Sequence, residues 1–427
     1  MNLITSTKGI GGEIKRRYED FIVMELTNEH ECRVEHFLLS EEEREKQWRK
    51  FEEKINELKE LWKKEEEKKR GEQKDQLILE MEKFNLDLNQ AIKFISRFLR
   101  VSLKRIGYAG MKDKRAITSQ MISIWKPDFE RLKKFKSRKI YLKPLNLSRK
   151  KIELGELEKN KFILTIRNIS LNEKELKEIV EEFSEEIKKG IPNYFGEQRF
   201  GGAREVTHLV GKEFLKGNFK EAVYIYLTET FPEEEAEIRN ARINLKKTND
   251  FKQALKEFPI KFKYERAILD HLNKYPNDFI GAIRKLPRQF RFMFTHAFQS
   301  HLFNKIIERR FEEGYGLKEI EGDKKEDEIP LIQILGYDSK FSEGKAGEIE
   351  KEVLEKEGIT LDQFKLNSFQ ELSSSGNNRK IAVFPEQFKL IEISKDEFFE
   401  GKLKAKIEFI LPKGCYATVL LKELMKE

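Results

Sequence analysis

At 427 residues the chain is longer than one hydrophobic core normally serves, so two or three domains are expected. Charged residues make up 37% of it, yet 84 Lys+Arg against 76 Asp+Glu leave a formal net charge of only +8, a well-solvated surface with a modest pull on polyanions. No apolar run approaches membrane-spanning length, charges begin at Lys8 with no apolar stretch behind them, and Cys32 and Cys415 are too few for a disulfide framework or a cysteine zinc site, so the expectation is a protein of the reducing cytoplasm.

In chain order, residues 12–26 read as a strand with a polar face and 34–39 as its neighbour. Residues 41–75 differ: acids and bases nearly balance, Gly and Pro are almost absent, and Trp48, Phe51, Ile55, Leu58 and Trp62 recur at spacings of three and four. That is one stripe of a long charged helix, expected to pack on the body of the protein, with a basic side available to RNA. Strand chemistry returns at 77–84. A helix follows over 87–99, with Asp87 as its N-cap. Residues 131–151 are strongly basic, as suits a lysine-protected edge strand or a phosphate contact. A strand is expected at 161–169 and a helix at 171–189, stopped by Gly190 and Pro192. From 202 to 382 the pattern is mostly helical, with helices over 214–230, 264–275 and within 283–310, and a surface loop at 314–328. Strand chemistry resumes at 383, and the strand at 407–411 is expected to rejoin the first domain's sheet. The first domain is accordingly 1–202 with the 41–75 helix inserted, the middle domain is 203–382, and 383–427 completes the first.

Chemistry concentrates at Arg105–Gln120, where one carboxylate, Asp113, sits in a small-residue loop among Lys112, Lys114 and Arg115. An Asp in such a turn most often caps its own backbone. Here Gly107 and Gly110 allow close backbone approach, and the cations favour the ionised carboxylate that a nucleophile needs. Thr118 and Gln120 share one strand face and are placed to orient the loop or a substrate. A second loop, Asn193 to Gly202, carries Tyr194, Phe195, Phe200, Arg199 and an amide, the chemistry of base stacking in single-stranded RNA. Lys15 follows the Gly11–Gly12 pair, which would let the backbone approach something closely. The six histidines show no metal-ligand grouping, and no P-loop or dinucleotide glycine loop occurs, so no metal and no nucleotide cofactor are expected.

Five blocks in this order resemble the TruD family of tRNA pseudouridine synthases. They are Ile14-Lys15 with Glu19-Asp20-Phe21; Asn85-Leu86-Asp87; Gly110-Met111-Lys112-Asp113-Lys114 through Gln120; Asn193-Tyr194-Phe195-Gly196 through Gly201; and Leu411-Pro412-Lys413-Gly414 with Ala417-Thr418 and Lys422-Glu423-Leu424. The run Ala297–Asn304 is similar to the family's inserted domain. Tyr18 stands where the family often has proline, and the 41–75 helix looks like an additional element. The resemblance implies an α+β fold: a pseudouridine synthase core with a mixed, largely antiparallel sheet, split by an inserted α+β domain, with RNA lying between the two. It implies cofactor-independent isomerisation of uridine to pseudouridine in RNA, most specifically uridine 13 in the D-arm of tRNA. Asp113 would attack either the sugar or the base, Lys15 would sit beside it, Asn193 would hold its loop, and Phe195 would stack on the base. Lys112, Lys114, Arg115, Thr118, Gln120 and Arg199 are the remaining RNA-binding or loop candidates. The alternative is a non-catalytic RNA-binding or tRNA-folding protein on the same fold.

Overall fold

The computed structural model describes residues 1–27, 30–68 and 71–426. The first half contains β1 (Phe21–Leu26), α1 (Glu41–Glu66), β2 (Gln76–Phe84), α2 (Leu88–Leu99), β3 (Ile106–Tyr108), β4 (Ile117–Trp125), α3 (Phe129–Lys133), β5 (Ile140–Ser148), β6 (Lys159–Ile169) and α4 (Glu173–Glu186). A helical stretch follows: β7 (Ile191–Pro192), α5 (Thr207–Leu215), α6 (Phe219–Thr228), α7 (Ala236–Thr248), α8 (Phe251–Glu257), α9 (Lys263–Lys274), α10 (Phe279–Arg284) and α11 (Arg288–Glu312). The chain closes with β8 (Lys324–Glu326), β9 (Ile329–Ile334), α12 (Gly344–Glu357), β10 (Asn377–Lys380), β11 (Ala382–Val383), β12 (Glu386–Lys395), β13 (Leu403–Pro412) and α13 (Ala417–Met425). Two compact units share this chain: Thr5–Gly190 with Phe384–Glu427, and Met1–Ile4 with Ile191–Val383.

The first unit is built on an eight-stranded sheet of order β12-β13-β6-β1-β4-β2-β5, with β3 paired to β4. Only β1 and β4 run parallel; the other pairs are antiparallel, so the fold is α+β with a mixed, largely antiparallel sheet. One face of β2 and β4 presents Leu77, Leu79, Met81, Ile122 and Ile124 to the apolar stripes of α1 and α2. The register places Glu82 opposite Ser119 and Ile78 opposite Ser123, which puts a polar row on the other face. Asp87 caps α2 by accepting from the Gln90 amide, and Ser40 and Glu43 form a capping box on α1.

Two expected strands are corrected. Only 21–26 of the 12–26 stretch is a strand, because Gly11, Gly12 and Lys15 take positive φ (60°, 98° and 61°) and break the pleat. Residues 34–39 form no strand: the amides of Arg33, Glu35 and His36 donate to the Glu80 and Glu82 carboxylates of β2, and a short 3-10 turn spans His36–Leu38. Those amides are unavailable to a ladder.

In the second unit α11 is central. Its Phe294, Phe298, Leu302, Phe303 and Ile306 are buried, and it packs along α5 and α12. The helix expected over 214–230 is two helices, broken at Gly217 with φ 75°. The 314–328 loop contains the three-residue strand β8, turned back onto β9 by Asp327 and Glu328 at φ 51° and 62°. Apart from Met1–Ile4 this unit spans Ile191–Val383, so the aromatic loop at 193–202 clusters with the helical unit.

Candidate active site

The Asp113 loop joins β3 to its antiparallel partner β4. Its carboxylate meets Lys15, whose Nζ lies 3.2 Å from Oδ1 with both side chains partly buried. Lys15 is held from below: its ammonium sits 3.9 Å above the centroid of the buried Phe21 ring. Its φ of 61° is a left-handed conformation that a β-carbon disfavours, the kind of strain that persists where the surroundings over-determine a side chain's position. The Gly pair before it serves that geometry. A β-carbon on Gly12 would stand 2.5 Å from the Arg167 carbonyl, so what approaches closely is β6 itself.

Gly107 has the same explanation. A β-carbon there would meet the Ile152 carbonyl at 2.3 Å, and one on Gly110 would meet Leu157 at 3.2 Å. Both glycines admit the protein's own chain, which corrects the expectation of ligand approach. Thr118 and Gln120 are buried on β4, and the Gln120 amide donates to the Gly110 carbonyl at 3.0 Å, so it braces the loop. Lys114 and Arg115 are exposed. Lys112 is corrected: its ammonium is buried against the Glu25 carboxylate at 3.1 Å and faces no solvent-borne phosphate. Burial raises the Glu25 pKa, opposed by Lys112.

Sequence reasoning passed over Lys83. It lies on β2 in a run that reads as ordinary strand, yet it is fully buried, and its ammonium donates to the Asp113 carbonyl at 2.6 Å and reaches the Lys112 carbonyl at 3.5 Å. Burial pushes its pKa down to about 8. Asp20 of the Glu-Asp-Phe block also acquires a role. It accepts from Arg167 Nε and Nη2 at 2.9 and 2.8 Å and from the Arg17 amide at 2.7 Å, pinning the turn that leads into β1.

In the helical unit, Asn193 is buried and donates from its side chain to the Lys380 carbonyl while accepting from Arg379. Phe195 is half-buried, and its backbone is clasped reciprocally by the Asn304 side chain, 2.9 Å from its amide and 2.9 Å from its carbonyl. Phe303 meets its ring edge-on at 5.3 Å, and the Arg379 guanidinium lies 4.2 Å from its centroid. Arg199 donates to Ser300 Oγ at 2.9 Å and sits 5.6 Å from the Phe195 centroid. Arg379 was missed because it is 186 positions from Asn193, whose carbonyl it binds, and nothing local marks it. Asn304 lay in a run already singled out.

One histidine expectation is corrected. Donor atoms of His30, Cys32 and Glu80 lie within 4.8 Å of one another. The Glu80 oxygens are engaged by His30 Nε2, the Arg33 amide and Ser119 Oγ, which makes the cluster a hydrogen-bonded knot. His208 and His301 stack at 4.7 Å, and His301 meets Glu357 at 3.1 Å, a structural group in the helical unit.

Comparison with known proteins agrees with this architecture. The family model described as tRNA pseudouridine synthase D (TruD) matches residues 1–329 and 321–424. A Methanosarcina mazei protein named "Probable tRNA pseudouridine synthase D" is 37% identical over 99% of this chain and 95% of its own length. A Thermococcus sibiricus protein of the same name is 31% identical over 99% of this chain and 97% of its own. The crystal structure of a Methanosarcina mazei protein assigned to TruD superposes with a TM-score of 0.73, at 37% identity, over 99% of this chain and 95% of that one. With the family model spanning both units and relatives aligned nearly end to end, the chain belongs to the TruD family of tRNA pseudouridine synthases.

Proposed function

We propose that this protein isomerises uridine to pseudouridine at position 13 of tRNA, with Asp113 as the catalytic carboxylate. The observation that carries the reading is the Lys15–Asp113 pair at 3.2 Å, on a loop braced by Gln120 and Lys83. A preorganised carboxylate beside an ammonium suits a step in which charge develops at a sugar or a uracil ring. In the overall reaction the N1–C1′ bond breaks, a C5–C1′ bond forms, C5 loses its proton and N1 gains one. Atoms and electrons therefore balance with no co-reactant, in keeping with a cofactor-free enzyme. Lys15 positions the Asp113 side chain. Phe195, clasped by Asn304, is the stacking ring for a base, and Asn193 and Arg199 support that loop. Lys114 and Arg115, exposed beside Asp113, take phosphate contacts. The 191–383 unit corresponds to the family's inserted domain, and the setting is the cytoplasm, where the free thiols of Cys32 and Cys415 remain reduced.

The test is incubation of purified protein with tRNA transcript alone, followed by chemical mapping of pseudouridine. The expected outcome is modification at position 13, with Asp113→Asn abolishing product while tRNA binding stays within about threefold of wild type. Unmodified uridine in every transcript tried would sink the reading. Equal tRNA-folding assistance by wild type and Asp113→Asn, with no modified base, would favour the non-catalytic alternative.

A further inference from the structure

We infer that Lys83 is a positioning residue for the reaction: its buried ammonium ties the backbone of the Asp113 loop to β2 and places a fixed positive charge behind the carboxylate. The inference rests on the assignment of Asp113 as the catalytic group.

Burying a lysine ammonium is unfavourable unless something is gained from it. Lys83 is 0% exposed and stands opposite Thr118 in the β2–β4 register, near the C-terminal end of β2. An apolar side chain at that position would continue the row made by Leu77, Leu79 and Met81 on the same strand. The row is instead interrupted where β2 passes beneath the Asp113 loop. The ammonium is spent on the carbonyls of residues 112 and 113, at 3.5 and 2.6 Å, the two peptide units that set the direction of the Asp113 side chain. Lys15 holds the carboxylate from the opposite end of the side chain, and Gln120 holds the loop at Gly110. The loop is thus fixed at Gly110, at 112–113, and at the carboxylate itself.

The charges facing Lys83 from the elements around it are Asp113 and Lys112 on the loop and Asp87 at the start of α2; Lys112 is in turn paired with Glu25 of β1. Burial outweighs the two carboxylates and brings the Lys83 pKa down to about 8. The positioning charge is therefore lost as pH rises through about 8.

The experiment compares wild type with Lys83→Met, which keeps the length of the side chain without its charge, and with Lys83→Arg, which stays charged through the alkaline range. Thermal unfolding establishes that each variant is folded. Single-turnover pseudouridine formation and tRNA binding are then followed from pH 6.5 to 9.5. Wild-type kcat is expected to fall above about pH 8. Lys83→Met is expected to lose roughly 10–100-fold in kcat with KM for tRNA within about threefold, the signature of a misplaced reacting group. Lys83→Arg should recover part of that loss and carry no fall at about pH 8. A Met variant with wild-type kcat, a loss confined to KM, or an Arg variant no better than Met overturns the inference. If a variant does not fold, the wild-type profile decides, and a kcat that is flat from pH 7 to 9.5 overturns it. Failure of the functional reading looks different, because wild type itself then makes no pseudouridine.

Discussion

Lys83, Lys112 and Lys15 carry the same side chain and meet three different fates, and the difference lies in what the fold places opposite each. Lys15 meets a carboxylate and an aromatic face, Lys112 meets Glu25 inside the protein, and Lys83 meets two carbonyls. For Lys83 the consequence extends to stability. Its pKa falls from 10.5 to about 8 on folding, so below pH 8 both folded and unfolded chains hold the proton and the folded one bears the burial penalty, about 3 kcal/mol. Between pH 8 and 10.5 the unfolded chain still binds the proton that the folded chain has released, so this contribution to stability rises with pH. Lys83→Met removes the penalty. Its stability relative to wild type, from denaturant unfolding, is expected to be greatest at neutral pH and to shrink as pH rises through 8 to 10.5; a difference independent of pH would contradict the assignment. Asp113 stood out in the sequence because a small-residue loop marks it locally, whereas Lys15 was set beside it only by the family resemblance, and the fold pairs the two. Lys83, Glu25 and Arg379 did not stand out, because a lysine, a glutamate and an arginine on strands read as solvated until the fold gives them partners.

At the scale of elements, α1 shows how far periodicity reaches. The stripe spacing predicted a helix packed on the body, and Phe51, Ile55, Leu58 and Trp62 are buried in the same core as α2 and β2. The end signals were local too: Ser40 accepts from the Glu43 amide, and three glutamates occupy the first turn. Ile55 is 0% exposed, so Ile55→Ala is expected to cost roughly 2–5 kcal/mol in chemical denaturation, while an alanine at the exposed Glu52 should change little. A loss below 1 kcal/mol, on the order of a surface change, would mean that α1 does not belong to this core. Beside that stripe α1 carries Lys46, Lys50 and Lys54, which line a cavity of ≈ 520 Å³ with Phe51 and with Lys143 of β5. The failure at 34–39 has a long-range cause. Residues 34–39 have strand-like composition, but buried carboxylates on β2 claim their amides, and burial pushes one of those carboxylates, Glu82, up to about 7. Propensity yields to such a long-range partner, and no window of local sequence contains it.

At the scale of the whole molecule, charge is abundant and nearly balanced, so attraction to a polyanion depends on where the basic groups lie. Lys114 and Arg115 are exposed beside Asp113, and β5, with the basic segment before it, forms the sheet's edge. If tRNA phosphates are neutralised by such groups, kcat/KM is expected to fall by about tenfold or more between roughly 50 and 200 mM salt, with kcat at saturating tRNA changing far less. Equal kcat/KM across that range would argue against phosphate contact as a main source of affinity. Sequence by itself determined the strand-rich ends, the helix-rich middle, the order of most elements and the loop that bears Asp113, because strand alternation, helical stripes, caps and glycine turns are encoded over a few neighbouring residues, while the fold class came from the motif resemblance. Only the tertiary structure decided which polar side chains are buried and against what. It gave Lys112 to Glu25, Lys83 to the Asp113 backbone, Asp20 to Arg167 and Arg379 to the Phe195 loop. Those pairings are contacts across 29 to 186 positions, set by strand register and helix packing, where a polar group's partner depends on the whole sheet and not on its neighbours in the chain.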